Sequence, residues 1–562
     1  MSTTRRIYFY LVTLVALGIF TSGVGQLLTL LFDMTIKSGY LAQTQRVVFD
    51  RQLFSLGLAM IAIAGPLWFF FWRSIQRRVT GNGEETGASM RKFFLNLVLV
   101  GTAITAISTA SEFLKWLMAG ARLPNFSSGT VAIFIVTVLI WFYHYRVSET
   151  EGYPLPPART FRRWYVYILS GFGLVWLSVG VVQLISSAVL VLPVWGDTLV
   201  RGQFWNDSSR NGITFILLGG AAWYFHWFRM AKGDFESTLR QVYFYVLAIS
   251  GGFIAALVAL TTTLYRILVW LFGGVTVSAG RHFQFIGWTI VTLVVGIAIW
   301  VFHRQVAEEE EIRSQERHIS AQRVHVYLMS FIGLTTLVAG LIILFGILIT
   351  LINSAITPPV AAGTGSWQDP LSMCIALLLV GTPLWLYYWG KILRRVETGN
   401  VNERRARSRR IYLYVVVGAS VIALAADLVN IVYQILIGIL QGDIGTRFLR
   451  ESRWSWQTLI VAVPLLWYHW QIIRTDQKRG AEAVVTQKKV TLLTSDRSGE
   501  LADRIGKRLG YKIRVLYTAG ETASVSDEEL ARLANEVEGS PEKNVMLLVT
   551  GDRILALPYQ EK

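Results

Sequence analysis

Six times along this chain a basic residue opens onto aromatic residues and then onto about twenty-five apolar ones. The copies read Arg6-Ile7-Tyr8-Phe9-Tyr10, a degraded Lys92-Phe93-Phe94, Arg163-Trp164-Tyr165-Val166-Tyr167, Arg240-Gln241-Val242-Tyr243-Phe244-Tyr245, Arg323-Val324-His325-Val326-Tyr327 and Arg410-Ile411-Tyr412-Leu413-Tyr414. A second, shorter apolar run follows each one. A helix crossing roughly 30 Å of hydrocarbon needs about 20 apolar residues. Long and short runs therefore read as six helical hairpins in lipid, an all-α polytopic membrane protein of about twelve transmembrane helices. They lie near 7–32, 53–72, 93–118, 129–146, 164–192, 212–230, 242–272, 285–304, 325–352, 371–390, 411–440 and 456–473.

Composition closes the soluble alternatives. With 53% hydrophobic residues and a mean hydropathy of +0.46, the chain cannot hide its apolar side chains in one water-soluble core. The net charge of +17 would suggest nucleic acid in a soluble protein. Here Lys and Arg cluster between spans, where they orient helices and meet anionic lipid, so membrane lipids are the expected partners and nucleic acid is not. The one cysteine, Cys374, rules out an intrachain disulfide. Paired arginines before the first apolar run resemble a targeting signal, but the pair returns at Arg162-Arg163 and Arg409-Arg410, which a cleaved address would not do.

Orientation follows from the connections. The N-terminus and the loops between hairpins hold 26 Lys and Arg, against ten in the loops within hairpins, including Lys37, Arg201, Arg447 and Arg450. The positive-inside rule then places both termini in the cytoplasm, which in a prokaryote means a plasma-membrane protein. The short helices end in an aromatic belt, with Pro66-Leu67-Trp68, Pro383-Leu384-Trp385 and Pro464-Leu465-Leu466-Trp467 in three copies. His144, His226, His303 and His469 sit in that belt, while two odd-numbered hairpins put Phe71 and Tyr388 there with no other change. Amphipathic rings belong at headgroup level, so the histidines read as lipid-facing or headgroup residues rather than as haem ligands.

Spacing suggests a coarser unit of about 160 residues. Gly23, Gly180 and Gly340 follow the aromatic column by fifteen residues in odd copies only. Three four-helix modules, 1–157, 158–318 and 319–480, are expected. An even number of spans makes every module face the same way.

The Arg-x-Tyr-x-Tyr start of the long helix, with the Pro-Leu-Trp and Trp-x-x-His-Trp endings of the short one, resembles the prokaryotic multi-pass membrane family named domain of unknown function 5671. The resemblance covers residues 1 to about 475 in tandem copies. It implies a membrane bundle but neither catalytic residues nor a substrate.

Past residue 475 the composition becomes that of a soluble protein. Val490–Thr494, Ile513–Tyr517, Val545–Thr550 and Ile554–Leu557 read as strands, with helices over Ser498–Leu509 and Ser526–Val537. Ser526 opens a capping box and Thr550-Gly551-Asp552-Arg553 a hairpin turn. Residues 486–562 are thus a small α/β domain on the cytosolic side. Asp496 and Gly499 after the first strand suggest a nucleotide loop only faintly, since no phosphate-cradling motif accompanies them.

Eighteen residues past the aromatic column stand Gln26, Glu112, Gln183, Thr261, Ile343 and Asn430, about 27 Å along each long helix at 1.5 Å per residue. Asp427 and Gln434 flank Asn430, and Lys115 lies one turn beyond Glu112. Polar groups at membrane depth either hydrogen-bond neighbouring helices or line a wet path. No metalloprotease, nucleophile-elbow or paired-cysteine motif occurs, so no enzyme, cofactor or metal is expected. Two readings remain: passage or binding of a small solute or ion at this polar layer, and a noncatalytic scaffold or sensor whose cytosolic tail binds a protein partner.

Overall fold

A computed structural model describes residues 3–36, 43–81, 86–153, 155–195, 203–235, 237–311, 318–356, 367–397, 401–404, 406–442, 448, 451–486, 488–496, 499–509, 513–518, 527–540, 542, 544–550 and 553–559. The predicted capping-box Ser526 and the loop cations Lys37, Arg201, Arg447 and Arg450 lie outside them. Two compact units appear, Met1–Ile392 and Leu393–Lys562. Each apolar run is a helix, because backbone groups in lipid must be satisfied within their own segment.

The first unit holds five hairpins: α1 (Thr3–Ile36) with α2 (Gln43–Gly81), α3 (Ser89–Met118) with α4 (Ser128–Glu151), and α5 (Pro156–Leu190) with α6 (Asp207–Trp223). There follow α7 (Thr238–Leu271) with α8 (Ile286–Glu311), and α9 (His318–Ile356) with α10 (Gln368–Glu397), whose residues up to Ile392 belong to this unit. A π-helix over Tyr224–Met230 prolongs α6, and another over Tyr243–Ile249 lies inside α7. Ten helices among the described residues are long and apolar enough to cross a membrane. The runs at α6 and at α12 (Arg453–Thr486) complete the third and sixth hairpins.

The alternation of long and short holds for apolar length but not for helix length. At 39 residues α2 exceeds the 34 of α1. Helical hydrogen bonding does not stop at the interface, so α2 continues through Arg73, Arg77 and Arg78. Pro66, Pro383 and Pro464 all sit inside their helices. Membrane helices tolerate proline where neighbours re-satisfy the freed carbonyl.

Within the first unit the hairpins stand the same way up. At the end away from the belt, Ser128 Oγ donates to Asp33 Oδ1 at 2.6 Å, Ser111 Oγ to Thr214 Oγ1 at 3.3 Å and Ser186 Oγ to the Gly287 carbonyl at 3.0 Å. At the belt end Trp72 Nε1 donates to Tyr143 OH at 2.6 Å, and Arg162 pairs with Glu149 at 2.7 Å. Helices approach most closely at glycines. A Cβ added to Gly180 would meet the Gly212 carbonyl oxygen at 2.8 Å, and one added to Gly23 would meet that of Gly57 at 2.8 Å. Two members of the glycine column seen in the sequence, Gly23 and Gly180, thus mark backbone contact between the arms of a hairpin.

The core gathers at the belt end. Leu99, Tyr165, Leu169, Trp227, Tyr243, Phe244 and Ile249 form one buried cluster, and Tyr10, Leu17, Trp72, Phe94 and Leu95 another.

The second unit contains α11 (Arg407–Gln441) paired with α12, then the α/β domain. Its sheet has the order β2-β1-β3-β4, from β1 (Lys489–Thr494), β2 (Arg514–Tyr517), β3 (Asn544–Thr550) and β4 (Arg553–Tyr559). β1 lies parallel to β2 and β3, and β4 is antiparallel to β3 with Thr550 opposite Arg553, which leaves two residues for the connection. Helices α13 (Glu500–Leu509) and α14 (Asp527–Gly539) bury Leu501, Ile505, Leu533 and Val537 against Val490, Leu492, Val545 and Leu547.

Candidate functional site

The aromatic column and the belt column meet in every hairpin. Ring centroids lie 5.3 to 6.1 Å apart for Tyr8–Phe71, Phe94–His144, Tyr165–His226, Tyr243–His303, His325–Tyr388 and Tyr412–His469. The fifth pair is the others reversed, with the histidine on the long helix and the tyrosine on the short one. This corrects the expectation that Tyr388 arrives with no other change: His325 is its compensation. It could have been found by comparing the two columns as a pair rather than one at a time.

The histidines do not face lipid. His144, His226, His303 and His469 are 1%, 7%, 1% and 0% exposed. Each sets Nδ1 at 2.7 to 2.9 Å from the carbonyl oxygen four residues back. A carbonyl only accepts, so Nδ1 carries a proton and Nε2 is the nitrogen left for a second partner. Tyr165 OH lies 3.2 Å from that nitrogen of His226, and Tyr243 OH 3.3 Å from that of His303. In the second hairpin Phe94 brings no hydroxyl, and His144 Nε2 has no partner among the described residues. Burial wins over headgroup solvation because the buried aromatic clusters gather at the belt end and enclose the rings.

Above the pairs of the second, fourth and sixth hairpins lies an ion clasp that composition did not reveal. Three residues before the column aromatic stand Arg91, Arg240 and Arg409, and seven residues after the belt histidine stand Glu151, Glu310 and Asp476. Arg240 is bidentate on Glu310, with Nε to Oε2 at 2.8 Å and the terminal nitrogen to Oε1 at 2.6 Å. Its third nitrogen donates to the Ala231 carbonyl at 2.9 Å, and its plane stacks 4.4 Å from the Trp227 ring. Arg409 holds Asp476 through Nε at 2.6 Å and a second bond at 3.3 Å. Arg91 binds Glu151 through Nε at 2.9 Å, and Lys92 shares the same carboxylate at 3.0 Å. The third hairpin varies the plan: Arg163 and Tyr167 OH both donate to Asp234, at 2.6 and 2.8 Å. Asp234 follows His226 by eight residues, not seven, because the π-helix adds one. The recurring His-x6-acid spacing was the available signal.

The polar layer disperses instead of converging. Gln26 Nε2 donates to the Met60 sulfur at 3.8 Å, and Asn430 Nδ2 to Ser455 Oγ at 2.9 Å, each across its own hairpin. Gln183 is half-buried, Thr261 bonds its own helix at the Leu257 carbonyl at 2.8 Å, and Ile343 brings no polar group. Glu112 has a side chain 59% exposed and pairs with Lys115 near the end of α3. Asp427 and Gln434 are half-buried beside Asn430 on α11. One groove of about 370 Å³ does reach the layer, lined by Thr21, Ser22, Gln26, Thr29 and Thr137 between α1 and α4.

In the α/β domain Asp496 is a helix cap. Its Oδ2 accepts from Leu501 N at 3.2 Å, and its own N–H donates to Thr494 Oγ1 at 3.1 Å. Gly499 supplies the left-handed turn at φ +79° that lets α13 begin. Among the described residues no three or more His, Cys, Asp or Glu gather as metal ligands.

No curated protein and no solved structure matches the chain. The sequence model of one family does, three times in tandem, over residues 6–143, 163–291 and 323–453. Each match begins within a few residues of the basic-aromatic start of hairpin one, three or five, and runs into the hairpin that follows. The chain is therefore a multi-pass membrane protein that belongs to the family described as domain of unknown function 5671, in three tandem copies.

Proposed function

We propose that the chain is a noncatalytic membrane scaffold in the plasma membrane of a prokaryote, anchoring a cytosolic α/β domain that docks a protein partner. The observation that carries this reading is the apolar face of the sheet turned away from its two helices, half-buried along its middle at Leu493, Met546 and Leu548 and exposed at its flanks. Strand alternation sends Val490, Leu492, Val545, Leu547 and Ile554 toward the two helices. On the opposite face the register aligns Leu516 with Leu493, Leu493 with Leu548, Leu548 with Leu555 and Met546 with Leu557. Leu516, Leu555 and Leu557 are 39%, 47% and 46% exposed. A contiguous apolar sheet face calls for a second layer, and a partner with an apolar surface supplies one. The pairing-off of Gln26 and Asn430 inside their own hairpins supports anchoring over a shared path. The excess of Lys and Arg on one set of loops supports termini in the cytoplasm.

A photo-crosslinking residue at Leu555 or at Leu557 of the full chain, activated in cells, tests the reading. Both positions should yield the same discrete protein adduct, lost on Leu548→Lys while membrane insertion and protein level persist. Adducts with lipid or with the chain itself alone would overturn it. The groove at Gln26 favours a second reading, passage of a small polar solute. Proteoliposome flux that falls at least severalfold on Gln26→Leu would support that instead.

A further inference from the structure

The fifth hairpin breaks the clasp. Gln322 stands three residues before His325, where an arginine stands in the other five copies, and Arg395 stands seven after Tyr388, where the even-numbered copies place a carboxylate. Glutamine and arginine cannot form an ion pair. At this corner, between α7, α8, α9 and α10, lies a cavity of about 140 Å³ whose lining includes Arg304, Glu308, Gln322, His325, Tyr388 and Lys391.

Its chemistry is that of an anion seat. Two cations, Arg304 and Lys391, face it against one carboxylate, Glu308, which accepts from Arg304 Nε at 2.7 Å. His325 is held on the wall by Ser250 Oγ, 2.8 Å from its Nδ1, and by the Tyr388 ring edge. Gln322 adds an amide. The volume suits a single phosphate group with its water and falls well short of the ~300 Å³ or more that drug-sized ligands occupy. The cavity lies in the aromatic columns, the depth at which headgroups sit. Basic pockets between membrane helices at this depth take phosphate-bearing headgroups.

We propose that this cavity binds a phosphate group, presented by the headgroup of an anionic phospholipid or as inorganic phosphate. The site stands independently of the scaffold reading, since it uses none of the α/β domain.

The test uses the full chain, delipidated in detergent, with native mass spectrometry counting retained phosphatidylglycerol against phosphatidylcholine. Arg304→Gln with Lys391→Gln should weaken phosphatidylglycerol retention about tenfold, as expected for losing two charge-assisted contacts. Gln322→Trp, which fills the cavity and keeps both cations, should do the same. Arg146→Gln with Arg229→Gln, two exposed belt-end cations elsewhere, should change it less than twofold. Thermal protection by inorganic phosphate in wild type but not in the cavity variants would assign free phosphate as a source. Protection by phosphatidylglycerol alone would assign the headgroup. Neither ligand distinguishing wild type from the cavity variants, or an equal loss in the control pair, would overturn the proposal.

Discussion

At the scale of single residues, the buried clasps dominate the energetics. The side chains of Arg240 and Glu310 are 6% and 9% exposed, so each ion has given up its water for the other. Removing one partner strands a buried charge at a cost of about 3 to 5 kcal/mol, whereas replacing both by apolar residues of similar volume is close to neutral. Glu310→Gln should therefore lower the unfolding temperature in detergent sharply, and Arg240→Met with Glu310→Leu should recover most of it. A double variant as unstable as the single one would show that the clasp contributes more than charge balance. The pair His325–Tyr388 makes a second test. His325→Tyr alone, or Tyr388→His alone, should cost about 1 kcal/mol, and the two together should restore the order found in the third, fourth and sixth hairpins, giving a coupling of about 2 kcal/mol in thermal unfolding.

At the scale of elements, glycines fix how near two arms come. Gly180 and Gly212 face one another's carbonyl oxygens, and a methyl at either would meet backbone at 2.8 to 2.9 Å. Backbone cannot rotate out of the way as a side chain can, so Gly180→Ala must push α5 from α6 at a cost of about 1 to 3 kcal/mol. Melting and cysteine cross-linking across that hairpin would show it, while Gly18→Ala, with open space around it, should leave both unchanged. The π-helix after Trp223 works at this scale too, shifting Asp234 by one residue so that Arg163 and Tyr167 reach it.

At the scale of the whole molecule, the distribution of Lys and Arg predicts which side is which. On a Cys374→Ser background, Leu155→Cys and Ala119→Cys should report opposite sides with a membrane-impermeant maleimide. In intact cells Ala119→Cys should label and Leu155→Cys should not, and inverted vesicles should reverse the result. Labelling of both from one side would contradict hairpins that cross. The three tandem family matches and the two compact units divide the chain differently, since the boundary after Ile392 falls inside the third match. Sequence repeats record how the chain was built, and packing density records what it touches.

Hydropathy, loop charge and the repeated aromatic start, read along the chain alone, determined six hairpins, their common way up in the first unit and the α/β domain with its strand boundaries. These are properties of consecutive residues, and lipid rewards them locally. Which residues meet was decided only in three dimensions. Arg91 and Glu151 lie 60 residues apart, as do Tyr243 and His303, and no pattern within one helix brings them together. Nor does periodicity tell the inner face of a membrane helix from its outer one, because lipid tails are as apolar as a leucine core. Hence His144 and its counterparts look the same in sequence whether they face headgroups or the aromatic column of their own hairpin. Packing at the belt end put them inside.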